Sequence, residues 1–127
     1  MWCCGVRGAI TVSANDSKSI IAATKELLEE MVRANGIETE GIAAIFFTTT
    51  PDLNAEFPAA ATRELGWTQQ VALLCGHEMN VPDGLPRCVR ILMLVNTEKK
   101  PEEIAHVYLG EAKKLLMNKM SASGGGR

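Results

Sequence analysis

A chain of 127 residues is one domain, with room for a single sheet and a helix or two but little for a deep private cavity. Its 46% hydrophobic and 22% charged content is ordinary for a soluble globular protein, and a net charge of −2 argues against a general nucleic-acid binder. No apolar run approaches the roughly 20 residues that span a bilayer, and the start Met1-Trp2-Cys3-Cys4-Gly5-Val6-Arg7 is too short and too soon charged for a secretory signal; the expectation is a cytoplasmic protein with no membrane partner.

In chain order, residues 3–12 read as a strand, apolar and in places β-branched, with Gly5 and Gly8 flanking Arg7. Glycine inside a strand often marks a close backbone approach. Asn15-Asp16-Ser17 offers N-caps, after which Ile20, Thr24, Leu27, Leu28 and Met31 recur at helical spacing. This amphipathic helix is expected to stop at Asn35-Gly36. Residues 42–50 form a continuous apolar run that predicts a buried strand, closed by Pro51. Phe57-Pro58 predicts the start of a short helix that carries Arg63 and ends near Gly66. Further strands are expected over 71–75, as a buried one, over 88–95 and, briefly, over 106–109. Val81-Pro82-Asp83-Gly84 reads as a turn, Pro101-Glu102-Glu103 as a turn of helix or loop, and 113–120 as a helical turn. The domain then spans 1–120, followed by a flexible Gly/Ser-rich tail over 121–127. The result is an α/β (α+β) chain: a mixed five-stranded sheet with one long helix on one face. The other face needs a cover, and the simplest is another copy of the same chain.

The four cysteines, Cys3, Cys4, Cys75 and Cys88, form no C-x-x-C pair, and neighbours in a strand point to opposite faces. They read as reduced thiols packed as small apolar residues. His77 and His106 match no zinc spacing, so no metal is expected. There is no P-loop, no G-x-G-x-x-G and no G-x-S-x-G. Any chemistry is therefore expected to need no nucleotide, metal or covalent intermediate, and no cofactor.

What remains is charge on apolar elements. Arginine keeps its charge, so Arg7 and Arg90 in mid-strand call for a buried acidic partner, Glu78 or Glu56, or for an anionic ligand. Arg63, after the Phe57-Pro58 turn, adds a third cation, and arginine forks suit carboxylates. Glu78 follows Cys75-Gly76-His77, where a strand leaves the sheet, and Tyr108 lies in the last short strand.

These pieces together resemble the AroH class of chorismate mutases, over nearly the whole chain. The carrying segments are Val6-Arg7-Gly8-Ala9-Ile10-Thr11-Val12, Thr50-Pro51-Asp52-Leu53-Asn54-Ala55-Glu56-Phe57-Pro58 and its continuation through Arg63-Glu64, Cys75-Gly76-His77-Glu78-Met79, Leu85-Pro86-Arg87-Cys88-Val89-Arg90-Ile91, and His106-Val107-Tyr108-Leu109. The resemblance implies a homotrimer around a pseudo-α/β-barrel, with active sites between neighbouring chains. It implies an isomerase that turns chorismate into prephenate by a non-covalent Claisen rearrangement, in aromatic amino-acid biosynthesis. By resemblance Arg90 donates to the ether oxygen and a carboxylate, and Arg7 grips a carboxylate. Glu78 accepts from the ring hydroxyl, Tyr108 donates to a carboxylate, and Cys75 sits near the ring hydroxyl. Phe57, Ala59, Leu74 and Leu115 shape an apolar wall, with Arg63 near the rim.

Two departures stand out. Ala60 occupies a position where the family commonly has lysine, and Leu116-Met117-Asn118 replaces an arginine followed by Pro-Asp. Lys113, Lys114 or Lys119 is expected to replace part of that charge, so that truncation after Gly110 raises KM more than it lowers kcat. The alternatives are an imine-deaminase-like trimer, a non-catalytic binder of small carboxylates, and a structural trimer whose arginines form intersubunit ion pairs.

Overall fold

Asp16 begins the long helix. Its side chain accepts the Ser19 N–H at 2.7 Å, and helix α1 runs from Ser17 to Asn35. Gly36 ends it in the left-handed conformation, φ +59°, which glycine adopts without a Cβ penalty. The computed structural model describes residues 1–67 and 71–115. The face chosen by helical spacing is the buried one: Ile20, Thr24, Leu27, Leu28 and Met31 are all enclosed. Asn35 is buried too. Its Nδ2 donates to the carbonyls of Met31 and Ala105, each at 2.9 Å, and its Oδ1 accepts the Ala105 N–H at 2.7 Å. The end of the helix is thus tied to the chain that leads into the last strand.

The strands are β1 (Trp2–Thr11), β2 (Ile42–Thr49), β3 (Ala72–His77), β4 (Cys88–Thr97) and β5 (Val107–Leu109), and a short helix α2 (Ala60–Glu64) precedes β3. They form one five-stranded sheet in the order β3-β2-β4-β1-β5. The β1–β4 and β2–β4 pairs are antiparallel, and β1–β5 and β2–β3 are parallel. Helix α1 covers one face, and Val6, Ile10, Ile45, Phe47, Ile91 and Met93 point into that core. Gly8 is the close approach expected of a strand glycine: a Cβ there would meet Met31 Sδ at 2.6 Å. Cys3 is exposed and Cys4 buried, as alternation requires, and all four cysteines are free.

Several expectations need correction. The runs over 42–50 and 71–75 are not buried throughout. Phe46 is 40% exposed and Leu74 is 63% exposed, because β3 is an edge strand and one face of the sheet has no helix over it. The last strand starts at Val107, one residue later than expected. Arg7 and Arg90 are not enclosed in apolar surroundings; both are exposed on the uncovered face. Of the segment over 113–120, the helical residues 113–115 are described, and the rest, with the expected tail over 121–127, lies outside the described residues.

Candidate active site

Register assembles the site. Directly opposed residues of neighbouring strands share a face. Arg90 of β4 stands between Ala9 of β1 and Thr48 of β2; Ala9 continues to Tyr108 of β5, and Thr48 to Gly76 of β3. One transverse row on the uncovered face therefore reads Tyr108, Ala9, Arg90, Thr48, Gly76. The row below it reads Arg7, Leu92, Phe46, Leu74. Ala9 is itself covered, packed with Cys88 and Ala112 and with Tyr108 and Leu115 against them.

Arg7, Glu78, Arg90, Tyr108 and Leu115 line one cleft of about 530 Å³, with Thr48, Phe46 and Leu92 in its wall. Glu78 lies just past the end of β3. Its backbone N–H donates to the Thr49 carbonyl at 2.7 Å, so the chain stays beside β2. Its Oε2 accepts from Thr48 Oγ1 and lies 3.7 Å from Arg90 Nε. Of the two acidic partners expected for a strand arginine, Glu78 is the one found. Glu56 instead accepts from Ser17 Oγ at 2.9 Å. No carboxylate pairs with Arg7 among the described residues. The Arg7 backbone is held by its N–H, which donates to His106 Nδ1 at 3.0 Å. Burial pushes the Cys88 thiol up and favours its neutral form, against the opposing pull of the Arg90 guanidinium.

The other expected site residues, Phe57, Ala59, Arg63, Leu74 and Cys75, line a second cleft of about 480 Å³. Three consecutive β3 residues, Leu73, Leu74 and Cys75, belong to it, so it runs along the free edge of β3 beneath α2. Burial raises the Cys75 thiol, with a hydrogen bond from the Ala59 backbone opposing, so Cys75 too stays neutral near pH 7. The structure therefore divides the expected residues between two clefts of one chain. Ala60, where the resemblance implies a lost lysine, lies in the second cleft with Arg63. Lys114 pairs with Glu111 at 2.7 Å, and Lys119 lies outside the described residues. Ala112 is buried against Ala9 and Cys88, so a truncation after Gly110 would remove packing as well as charge.

Thr48, Ala9, Phe46, Leu92 and His106 belong to the site or its support without having been singled out for it. Thr48 and Phe46 share the outward parity of β2, but a continuous apolar run does not show which parity faces outward. Among the described residues no group of His, Cys, Asp or Glu is arranged to hold a metal ion, and no helix is long and apolar enough to cross a membrane.

The chain matches the family model of chorismate mutase type I over residues 3–118. It belongs to that family. Chorismate mutase AroH of Thermus thermophilus is 46% identical over 119 residues, covering 93% of this chain and 97% of that protein. Chorismate mutase AroH of Bacillus subtilis (strain 168) is 42% identical over 105 residues, 83% of each. The solved chorismate mutase from Clostridium thermocellum superposes with a TM-score of 0.85 at 48% identity, covering 90% of this chain and 99% of that one. The activity is accordingly that of a chorismate mutase, an isomerase of aromatic amino-acid biosynthesis, and the mixed sheet on one long helix is the fold of that enzyme.

Proposed function

We propose that chorismate lies between two copies of this chain, the Arg7–Glu78–Arg90–Tyr108 cleft of one protomer closed by the Phe57–Arg63–Leu74 cleft of the next, in a homotrimer. The observation that carries this reading is the convergence of two arginines, a carboxylate and a tyrosine on the one sheet face the chain leaves bare. Neither cleft is a closed chamber alone, and Phe46, Leu74 and Leu92 expose an apolar surface around the charges. Apolar patches of that kind suit an interface, and closed symmetric homo-oligomers are the commonest way to cover them.

The Claisen rearrangement breaks an ether C–O bond and forms a C–C bond within one molecule. No proton moves and no nucleophile attacks. Two physical tasks remain: to hold the compact, chair-like conformer, and to stabilise the negative charge that grows on the ether oxygen. Arg90 donates to that oxygen and to a carboxylate, an interaction that strengthens as the charge develops and so accelerates the step. Arg7 and Tyr108 grip carboxylate, and Glu78 accepts from the ring hydroxyl. Cys75, neutral and weakly polar, lies near that hydroxyl. Phe57, Ala59, Leu74 and Leu115 form the apolar wall, and Arg63 supplies charge at the rim. No cofactor takes part. The four free thiols suit a reducing compartment, and the proposed location is the cytoplasm.

The test is chorismate consumption followed by ultraviolet absorbance. Arg90→Ala is expected to lower kcat by at least about 10²–10³-fold, the loss typical of one preorganised donor to a developing oxyanion. Tyr108→Phe is expected to cost less. Near-wild-type turnover in Arg90→Ala would remove Arg90 from the assigned role.

A further inference from the structure

We propose that Thr48 is a positioning residue for Glu78: its hydroxyl holds the carboxylate back from Arg90 and keeps both groups available to substrate. The inference rests on reading the Arg7–Glu78–Arg90 cleft as the chorismate site.

A half-buried threonine in a strand ordinarily needs no explanation beyond its β-branched fit to a pleated surface. The surroundings of this one ask for more. On β2, Thr48 faces Arg90 of β4 on one side and Gly76 of β3 on the other, so it stands between the cation and the strand that delivers Glu78. Gly76 contributes no side chain, and a Cβ added there would meet nothing within 4 Å. That space lets the Glu78 side chain fold back over the end of the sheet. Thr48 Oγ1 then donates to Glu78 Oε2, and Arg90 Nε lies 3.7 Å from the same oxygen. Both contacts fall on Oε2, which leaves Oε1 uncommitted among the described residues.

A separation of 3.7 Å is an ion pair but not a hydrogen bond. An arginine fork and a carboxylate close readily into a bidentate pair, with two parallel hydrogen bonds of about 2.7–2.9 Å. Closure here would commit Arg90's donors and both Glu78 oxygens to each other. Neither would remain for a dianion and its hydroxyl. The Thr48 hydroxyl competes with that closure by giving Oε2 a neutral donor. A hydroxyl has a single proton to give, so the bond holds one carboxylate oxygen, Oε2, and leaves Oε1 for the substrate. The effect reaches the reaction only through Glu78 and Arg90; misplacement of such groups by about 1 Å can lower the rate by up to 10²-fold.

The experiment compares wild type, Thr48→Val and Thr48→Ser by chorismate kinetics and thermal melting, with a crystal structure of Thr48→Val. Valine copies the shape and serine copies the hydroxyl. Thr48→Val is expected to lower kcat about 10- to 100-fold, and Thr48→Ser to stay within about threefold of wild type, all three melting alike. A packing role reverses the order, with valine tolerated and serine harmful; that result, or wild-type kcat in Thr48→Val, overturns the proposal. If wild type itself does not turn over chorismate, the reading of the cleft fails, and the crystal structure decides the remainder. Glu78 closed onto Arg90 at about 2.7–3.0 Å upholds the positioning role; Glu78 unmoved overturns it.

Discussion

The two faces of the sheet come from the same strands and differ in almost everything else. Beneath α1 lie Val6, Ile45, Phe47, Ile91 and Met93, closed off from solvent and free of charge. One residue along each strand, the other face presents Arg7, Phe46, Arg90 and Leu92 to solvent. A period of two turns one stretch of chain into two surfaces. The first surface is finished by the chain's own helix. The second mixes cations with half-exposed apolar side chains, which makes it a poor core and a poor monomer surface but a good wall for an anionic ligand between subunits. What distinguishes the two is not hydrophobicity alone but whether the chain supplies its own cover.

The sharpest way to break that comparison is to charge the bare face outside both clefts. Ala44 pairs with Ala72 and Leu94 in a row that touches neither cleft. Ala44→Arg places a charge on the face proposed to be buried between subunits, and an unpaired buried charge is expected to cost several kcal/mol. The predicted outcome is monomers by analytical ultracentrifugation, circular dichroism like wild type, and turnover nearly abolished. A variant that sediments like wild type would count against the proposed subunit interface on this face.

The covered face fails differently. Leu27→Ala opens a cavity in the fully enclosed core and is expected to cost about 2–5 kcal/mol in urea unfolding. Gly8→Ala inserts a Cβ against Met31 Sδ, an overpacking expected to cost about 1–3 kcal/mol. Leu27→Ala acts on the side away from the clefts, so kcat per folded molecule is expected to hold. If instead it dissociates the protein, the two faces are coupled more tightly than their separate covers suggest.

How much of this could be read in advance depended on whether a pattern or a register decided it. Helix α1 was fully legible, because its spacing, its Asp16 cap and its Gly36 stop agree and need no other part of the chain. Arg7, Arg90 and Glu78 were legible as candidates because charge on an apolar element asks for a partner. The exposure of β3 was not legible, since a continuous apolar run looks the same whether the cover is this chain or another. The division of the site residues into two clefts depends on β3 lying at an edge, a fact of strand order. Thr48 and Asn35 were missed for their roles because a single side-chain hydrogen bond follows from register and from what arrives opposite. Strand spacing alone does not carry that information.

The smallest expected effect concerns a residue at the end of the sheet, where neither face claims it. Burial tends to raise the Asp52 carboxyl, but hydrogen bonds from Thr50 Oγ1 and the Arg87 backbone N–H outweigh it and hold the group below its ordinary value. Arg87 has a left-handed backbone, φ +48°, an uncommon state for a residue with a side chain, and it opens the path into β4 and Arg90. Because the folded carboxyl is depressed, its contribution to stability is present above the unfolded value of about 3.9 and fades as pH falls through the folded value. Asp52→Asn is therefore expected to lower the urea midpoint a little at pH 7, by a small amount because Asp52 is exposed and solvent screens it, and to converge with wild type by pH 3, so that its acid limb is flatter. Urea titrations at pH 3, 4 and 7 would check it. An unchanged acid limb would mean that the Asp52 contacts hold Arg87 no better folded than water does unfolded, and that the turn into β4 is set by the sheet itself.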